Sequence, residues 1–368
     1  EALQNWRRRM QDVSHACKWL RQEEATPNAF KDTDSTVLTS KALIVEKLRT
    51  HWINIFGTQE NAADVDRFMR SFQPDFPHMV PMPELNCITG EETLQAAKHM
   101  RKKAAGLDGI SPSWLALLPP EAHARLAQML MTFEKLGSWP EAMCHWKIVT
   151  LPKQRQGSLP TLDEVRPIAV GSAIYRLWGH IRLRHLAAAL GHYLEHNQAG
   201  GIGGEDVTSL LLSLDLELDC GSYPCLMALD FAKAFDSTDF SLCLAVFGRL
   251  GLPMSVLSLL KSQWERQKRW MTFAGTCAGH PIVNCLALPQ GDPFSPIAMS
   301  LVLMLAKRRQ ERLVPQSKTM LYLDDRTLVA TDPATLTAAL DAWDVLHQTT
   351  RLKTNANKTQ VLGRTWEG

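Results

Sequence analysis

Two adjacent acids, Asp324 and Asp325, stand between short apolar runs in Met320-Leu-Tyr-Leu-Asp-Asp-Arg-Thr-Leu-Val-Ala330. Leu321 and Tyr322 precede them; Leu328 and Val329 follow. Such runs, with polar residues between, predict a tight β-hairpin. Carboxylates side by side at a hairpin tip repel and raise each other's pKa. A divalent cation removes that conflict, and carboxylate-rich sites suit Mg²⁺ or Mn²⁺. Asp is also a common turn residue, so the pair alone reads equally as a solvated turn. Two stretches far upstream change its weight.

The first is Leu229-Asp230-Phe-Ala-Lys-Ala-Phe235-Asp236. Cys225 to Leu229 reads as a buried strand that Asp230 closes, and only a folded sheet can bring Asp230 to Asp324. The second is Leu288-Pro-Gln290-Gly291-Asp-Pro-Phe-Ser295-Pro296, a turn-rich approach to an apolar helix. In this order the three segments resemble motifs A, B and C of reverse transcriptases, nearest to the non-LTR retrotransposon and group II intron branches. Their joint occurrence is far more specific than any lone short motif. The resemblance covers about residues 100–362, most strongly 225–330.

The resemblance implies an RNA-directed DNA polymerase with an α+β fold, a right hand of fingers and palm. The palm would be an antiparallel sheet of split βαβ type backed by helices, with no thumb in this stretch. The implied division is a helical extension and linker over 1–83, fingers over 84–222, and palm over 223–368. Part of 251–300 is expected to pack with the fingers. The partners implied are an RNA template, a primer with a 3′-hydroxyl and deoxynucleoside triphosphates. The cofactor implied is a pair of Mg²⁺ or Mn²⁺ ions.

Residue by residue, the resemblance makes Asp230 and Asp324 metal ligands, together with the backbone carbonyl of Phe231. Asp325 joins the catalytic set but not the ligands, because neighbouring strand residues face opposite sides. Phe235 takes the place of the steric gate, a flat aromatic that would clash with a 2′-hydroxyl; the motif aside, it reads as core. Gln290 and Gly291 match the motif B pair that meets nucleotide and template base. Lys153, after the strand Ile148–Leu151, and Arg166, in Arg-Pro-Ile, match the fingers cations that meet the triphosphate. Arg suits bidentate contact with phosphate oxygens, although both cations read alone as solvated. Lys353-Thr-Asn-Ala-Asn-Lys358-Thr resembles motif D, which makes Lys358 the acid that protonates departing pyrophosphate. Arg326 departs from the small or apolar residue usual after the Asp pair, and could pair with either Asp.

Other features are less decisive. The chain of 368 residues is 45% hydrophobic and 21% charged, ordinary for a globular protein. A net charge of +2 announces no nucleic-acid partner, so any basic surface must be local. The eight cysteines form no Cys-x-x-Cys pair; their settings suggest small hydrophobes in a reducing, intracellular compartment. No signal peptide or membrane span is visible, and a start at Glu1 suggests part of a longer product. Residues 1–72 read as mostly helical, with a basic first helix (Arg7, Arg8, Arg9, Lys18, Arg21) and a second from Lys41 to Phe56. Thr89-Gly-Glu-Glu92 is a capping box.

The helix Tyr175–Leu190, with Arg176, Arg182, Arg184 and His185, could lie along a nucleic-acid backbone. So could Lys307 to Arg312, unless they only complement a helix dipole. The loop Gln198–Gly204 stands where the family has a template-side Gln-x-Gly-Phe-Arg, without its aromatic and basic residues. His192-Tyr-Leu-Glu195-His196 fits an inverted zinc-peptidase pattern, but no third ligand is in view. The alternative function is an inactive, reverse-transcriptase-like RNA-binding scaffold, against which Asp230, Asp324 and Asp325 all argue. An RNA-directed RNA polymerase is opposed by Phe235.

Overall fold

The computed structural model describes residues 29–32, 35–57, 62–153, 159–194, 197–201 and 207–363. The basic stretch before residue 29, Glu195 and His196 of the zinc-like pattern, and Ile202 to Gly204 of the glycine loop lie outside them. The first described element is not helical: β1 (Phe30–Lys31) pairs with β2 (Val37–Leu38). The expectation that residues 1–72 are mostly helical does not hold for this stretch, where Phe30 is buried edge-to-face on Phe273, 5.1 Å between centroids. Tertiary packing fixes this strand.

Helix Lys41–Phe56 then begins on Ser40, whose side chain accepts from Leu43 N. It buries Ile44, Leu48, Trp52 and Phe56; Leu43 points to solvent. Thr89 and Glu92 make the reciprocal capping box of helix Gly90–Met100. Helix Pro120–Leu136 packs beside it. Strand β3 starts at His145 and ends at Pro152, and β4 (Val165–Val170) returns antiparallel to it.

Helix Ala173–Tyr193 follows, then β5 (Gln198–Ala199), helix Val207–Asp219 and β6 (Cys225–Leu229). Helices Ala234–Ser237, Phe240–Arg249 and Met254–Glu265 lead to β7 (Lys268–Phe273) and β8 (Thr276–Cys277). Helix Ser295–Leu313 precedes β9 (Ser317–Tyr322) and β10 (Asp325–Ala330). Two helices follow, Pro333–Asp341 and Asp344–Thr349, separated at the buried Trp343. The last strand is β11 (Gln360–Gly363).

The result is an α+β fold with two main sheets. One has the order β11-β6-β10-β9-β5, antiparallel except for β5 against β9. The other has the order β4-β3-β7-β8. β7 and β8 therefore leave the sheet that holds β6. β7 runs parallel to β3, tied by crossed bonds: Thr150 Oγ1 donates to Thr272 O at 3.0 Å, and Thr272 Oγ1 to Ile148 O at 2.9 Å. Helix Ser295–Leu313 is apolar all round to Ala306 and buried between β9 and helix Phe240–Arg249, as such a helix must be. Among the described residues no helix is long and apolar enough to cross a membrane.

Two basic stretches turn out to be structural. Arg182 is fully buried and donates through Nε and Nη2 to the two carboxylate oxygens of Glu134, both at 2.6 Å. Trp178 Nε1 donates to the same carboxylate at 2.7 Å, and Arg176 Nη2 donates to Ala104 O at 2.6 Å. These arginines face the interior, so they are not a track for a nucleic-acid backbone; Arg184 remains exposed. At the end of helix Ser295–Leu313, Arg308 Nε donates to Asp75 O and Arg312 Nε to Asp75 Oδ1, each at 2.8 Å. Those cations hold the segment before residue 83 against the helix.

Candidate active site

The Asp-Asp stretch is the expected hairpin. Asp325 pairs across from Tyr322, which leaves Leu323 and Asp324 as a two-residue turn. Leu323 has φ 53°, a conformation such turns usually give to glycine. It is held from outside: its N–H donates to Ala199 O at 3.0 Å. Gly200, itself at φ 88°, leaves room for it, since a Cβ there would lie 2.7 Å from Leu323 Cγ. The described start of the glycine loop thus buttresses the turn.

β6 lies beside β10 with Leu229 opposite Arg326. Asp230, one residue on, therefore arrives next to the turn. Asp230 and Asp324 both line one cleft of about 550 Å³. The opposite wall comes from the β3–β4 hairpin, through Lys153 and Arg166. Phe231, Phe235, Gln290 and Lys358 complete the expected group around it. Two expected residues do not line the cleft: Asp325 is exposed beside it, and Gly291 stands behind Gln290. Gly291 serves as a joint. At φ 126°, any Cβ would lie 2.4 Å from Ala169 O, while Gln290 O accepts from Ala169 N at 2.7 Å. That close approach locks the segment before helix Ser295–Leu313 onto β4.

The charges here are left in tension. Burial, then the charges of Asp325 and Asp230, push Asp324 up to about 6. Burial and Asp230 also raise Asp325. Burial and the nearby Lys358, Lys233 and Arg166 lower Lys153. The ammonium of Lys358 donates to Asp230 Oδ2, so a cation already sits on one carboxylate. Among the described residues no three His, Cys, Asp or Glu side chains form a ready-made metal cage. The donors nevertheless fit a hard divalent ion. Mg²⁺ takes few protein carboxylates and completes its shell with water and substrate phosphates. Asp230 and Asp324, with the Phe231 carbonyl, offer oxygen donors where like charge is unrelieved.

Several lining residues were not expected from sequence. Trp52 and Asp163 reach the cleft from helix Lys41–Phe56 and the turn before β4. Asp163 pairs with Lys233 and with His51 Nε2 at 2.9 Å. Burial would raise Asp163, but its bonds to Lys233 and His51 outweigh it and hold it low. Lys233, at φ 54°, lies 4.7 Å over the Trp52 ring. A non-glycine residue in this region is a local strain that surrounding contacts must maintain. Asp236 is buried, its Oδ1 has no hydrogen-bond partner among the described residues, and burial pushes it up to about 7. No spacing rule links residues 52, 163 and 233; the Asp of Ala-Phe-Asp236 was visible but carried no chemistry by itself.

The family model described as reverse transcriptase (RNA-dependent DNA polymerase) matches residues 151–367. The chain belongs to the reverse transcriptase family. It is similar to the Retrovirus-related Pol polyprotein from type-1 retrotransposable element R2 of Bradysia coprophila, 24% identical over 337 residues, 88% of this chain and 37% of that protein. It is also 24% identical over 287 residues to the Pol polyprotein from type-2 retrotransposable element R2DM of Drosophila melanogaster, 74% of this chain and 26% of that protein. A third relative, from the type-1 element R2 of Popillia japonica, is 25% identical over 219 residues, 59% of this chain and 30% of that protein. The chain thus spans well under half the length of these curated relatives. With them, it is a reverse transcriptase domain of the non-LTR type. The family's polymerases use divalent metal ions.

Within this reverse transcriptase domain, Arg326 pairs with neither Asp. As the next strand residue after Asp325 it turns to the opposite face and is 1% exposed. Its guanidinium lies 4.6 Å from the Phe231 ring and 4.3 Å from the Trp343 ring. Its Nη2 donates to Thr354 Oγ1 at 2.9 Å, and among the described residues Nε and Nη1 have no hydrogen-bond partner. Burial lowers it to about 9. Two aromatic faces supply part of what water supplied, at about 2 kcal/mol for a desolvated cation–π contact.

Proposed function

We propose that this domain carries out RNA-templated DNA synthesis by two-metal nucleotidyl transfer, with the sheet β11-β6-β10-β9-β5 as palm and the sheet β4-β3-β7-β8 as fingers. The observation that carries this reading is that Asp230, Asp324, Phe235, Gln290, Lys153 and Arg166 face one cleft although they come from four separate segments. In domain terms, the described residues before 84 brace the hand, 84–194 with β7 and β8 build the fingers, and the other described residues, from β5 on, build the palm.

The substrates are an RNA template, a primer 3′-hydroxyl and a deoxynucleoside triphosphate. Bound divalent ions, held by Asp230, Asp324 and the Phe231 carbonyl, supply Lewis acidity at the attacking and leaving oxygens. Lys153 and Arg166 draw the triphosphate tail to the fingers wall, which positions the α-phosphate; positioning and charge neutralisation supply most of the catalysis in phosphoryl transfer. Phe235 lies under the sugar and excludes a 2′-hydroxyl. Gln290, on a segment locked to β4, steadies the nucleotide against the template base. Lys358, held beside Asp230, is the acid that protonates the departing pyrophosphate. Asp325 contributes negative charge beside the turn.

Primer extension on an RNA template with Mg²⁺ or Mn²⁺ tests this, with deoxynucleotides and ribonucleotides supplied separately. Extension with deoxynucleotides alone is expected, lost in Asp324→Ala and widened to ribonucleotides in Phe235→Ala. No extension, with RNA bound equally by wild type and Asp324→Ala, would overturn the activity and favour an RNA-binding scaffold.

A further inference from the structure

Behind the cleft, three catalytic segments meet at one buried side chain. Phe231 follows Asp230, Arg326 follows Asp325, and Thr354 leads the strap that carries Lys358. The strap is laid along motif A: Ala232 N donates to Lys353 O and Asn355 N to Asp230 O, each at 2.8 Å, and Phe231 bridges Thr354. A short 3₁₀ turn, Ala356–Lys358, then delivers the Lys358 ammonium to Asp230.

The hydrogen-bond directions around Thr354 can be assigned. Leu352 O accepts only, so His347 Nδ1, 3.0 Å from it, carries the proton. Burial lowers His347, which keeps it neutral, so Nε2 is an acceptor. The Thr354 hydroxyl, 3.2 Å from Nε2, therefore donates to it and has a lone pair free for Arg326 Nη2. The guanidinium itself sits in the corner made by the Phe231 and Trp343 rings, whose centroids are 6.5 Å apart, so it has little freedom to follow the strap. The bond runs from a fixed point to a loop whose other ties are backbone bonds, the Thr354–His347 bond and the Lys358 ammonium itself.

We propose that Arg326 is a positioning residue: clamped against Phe231 and Trp343, it fixes Thr354 and thereby the strap that holds Lys358 beside Asp230. This rests on the reading of Lys358 given above for its catalytic consequence, though not for its structural content. An apolar residue at 326 fills the same space but cannot register the strap, so the unusual arginine tunes motif D from behind rather than disturbing the metal ligands.

Two measurements on the whole chain separate these parts. Amide hydrogen exchange of wild type, Arg326→Met and Arg326→Lys reads the strap directly. Residues 353–358 should exchange about tenfold faster or more in Arg326→Met, with β9 and β10 still protected and Arg326→Lys intermediate. Unchanged strap protection in a folded Arg326→Met overturns the proposal. The second measurement is a double-mutant cycle in single-turnover extension with Lys358→Leu. Loss of a general acid lowers the rate by about a hundredfold. Arg326→Met should lower kcat by about tenfold with little change in nucleotide KM, and the double variant should be no slower than Lys358→Leu. Multiplying losses overturn the coupling. A Lys358→Leu protein with full activity, beside a loosened strap, sinks the general-acid role and supports Arg326 as the clamp.

Discussion

Two buried polar clusters in this domain are built to opposite rules. Between helices Pro120–Leu136 and Ala173–Tyr193, Glu134 receives Trp178 and both arms of Arg182, and Arg182 spends a further donor on Asn86 O at 2.9 Å. Charge is matched by charge and both carboxylate oxygens are bonded. Around the cleft, Asp324 is raised by its neighbours, Asp236 keeps an orphaned oxygen, and Leu323 and Lys233 hold backbone shapes they would not choose. A completed cluster stabilises the fold and offers nothing to a ligand. An incomplete one is a standing cost that metal and nucleotide can relieve.

If that contrast is right, activity and stability should respond separately. The largest effect is on turnover: Asp230→Ala should lose about a thousandfold or more in extension rate while its melting temperature barely moves. Glu134→Gln should do the reverse. It leaves Arg182 buried without a counter-charge, which costs about 3–5 kcal/mol, read by urea unfolding, with extension by the folded fraction intact. A catalytic defect there without a stability loss would break the comparison.

A smaller effect has a defined pH window. Asp324 titrates near 6 in the fold and near 4 unfolded, so the fold holds its proton more tightly. Stability therefore falls as pH rises through that interval. Asp324→Asn should stabilise the metal-free protein by about 2 kcal/mol at pH 8 and not at pH 4. Adding Mn²⁺ at pH 8 should raise the wild-type melting temperature and leave Asp324→Asn unmoved. The smallest effect is steric: Gly291→Ala, driven against Ala169 O, should cost about 1–3 kcal/mol and loosen Gln290, seen as a raised nucleotide KM.

What sequence showed and what it hid follow from interaction range. The turn at 323–324, the strand before Asp230 and the cap at Thr89 rest on local patterns, and the hairpin register then puts Asp324 and Asp230 together. The side of Arg326 was set by strand parity, yet its partners, Trp343 and Thr354, belong to elements whose docking no local pattern encodes. Arg182 looked like a nucleic-acid contact because helical position says which face a residue takes, not what covers it. The pairing of β7 with β3 was not legible, because a parallel partner leaves no turn between the two segments. The cleft residues Trp52, Asp163 and Lys233 were hidden for the same reason.

That parallel pairing also dictates the timing of synthesis. Thr150 and Thr272, which cross-bond β3 to β7, are 122 residues apart. At about 5–20 residues per second, a ribosome needs about 6–24 s to supply the second strand after the first emerges. Through that interval the β3 edge waits uncovered, with the whole of motif A made in between. The wall that carries Lys153 and Arg166 is finished only after the segment that carries Asp230, so the two halves of the cleft mature together rather than in the order in which they are encoded.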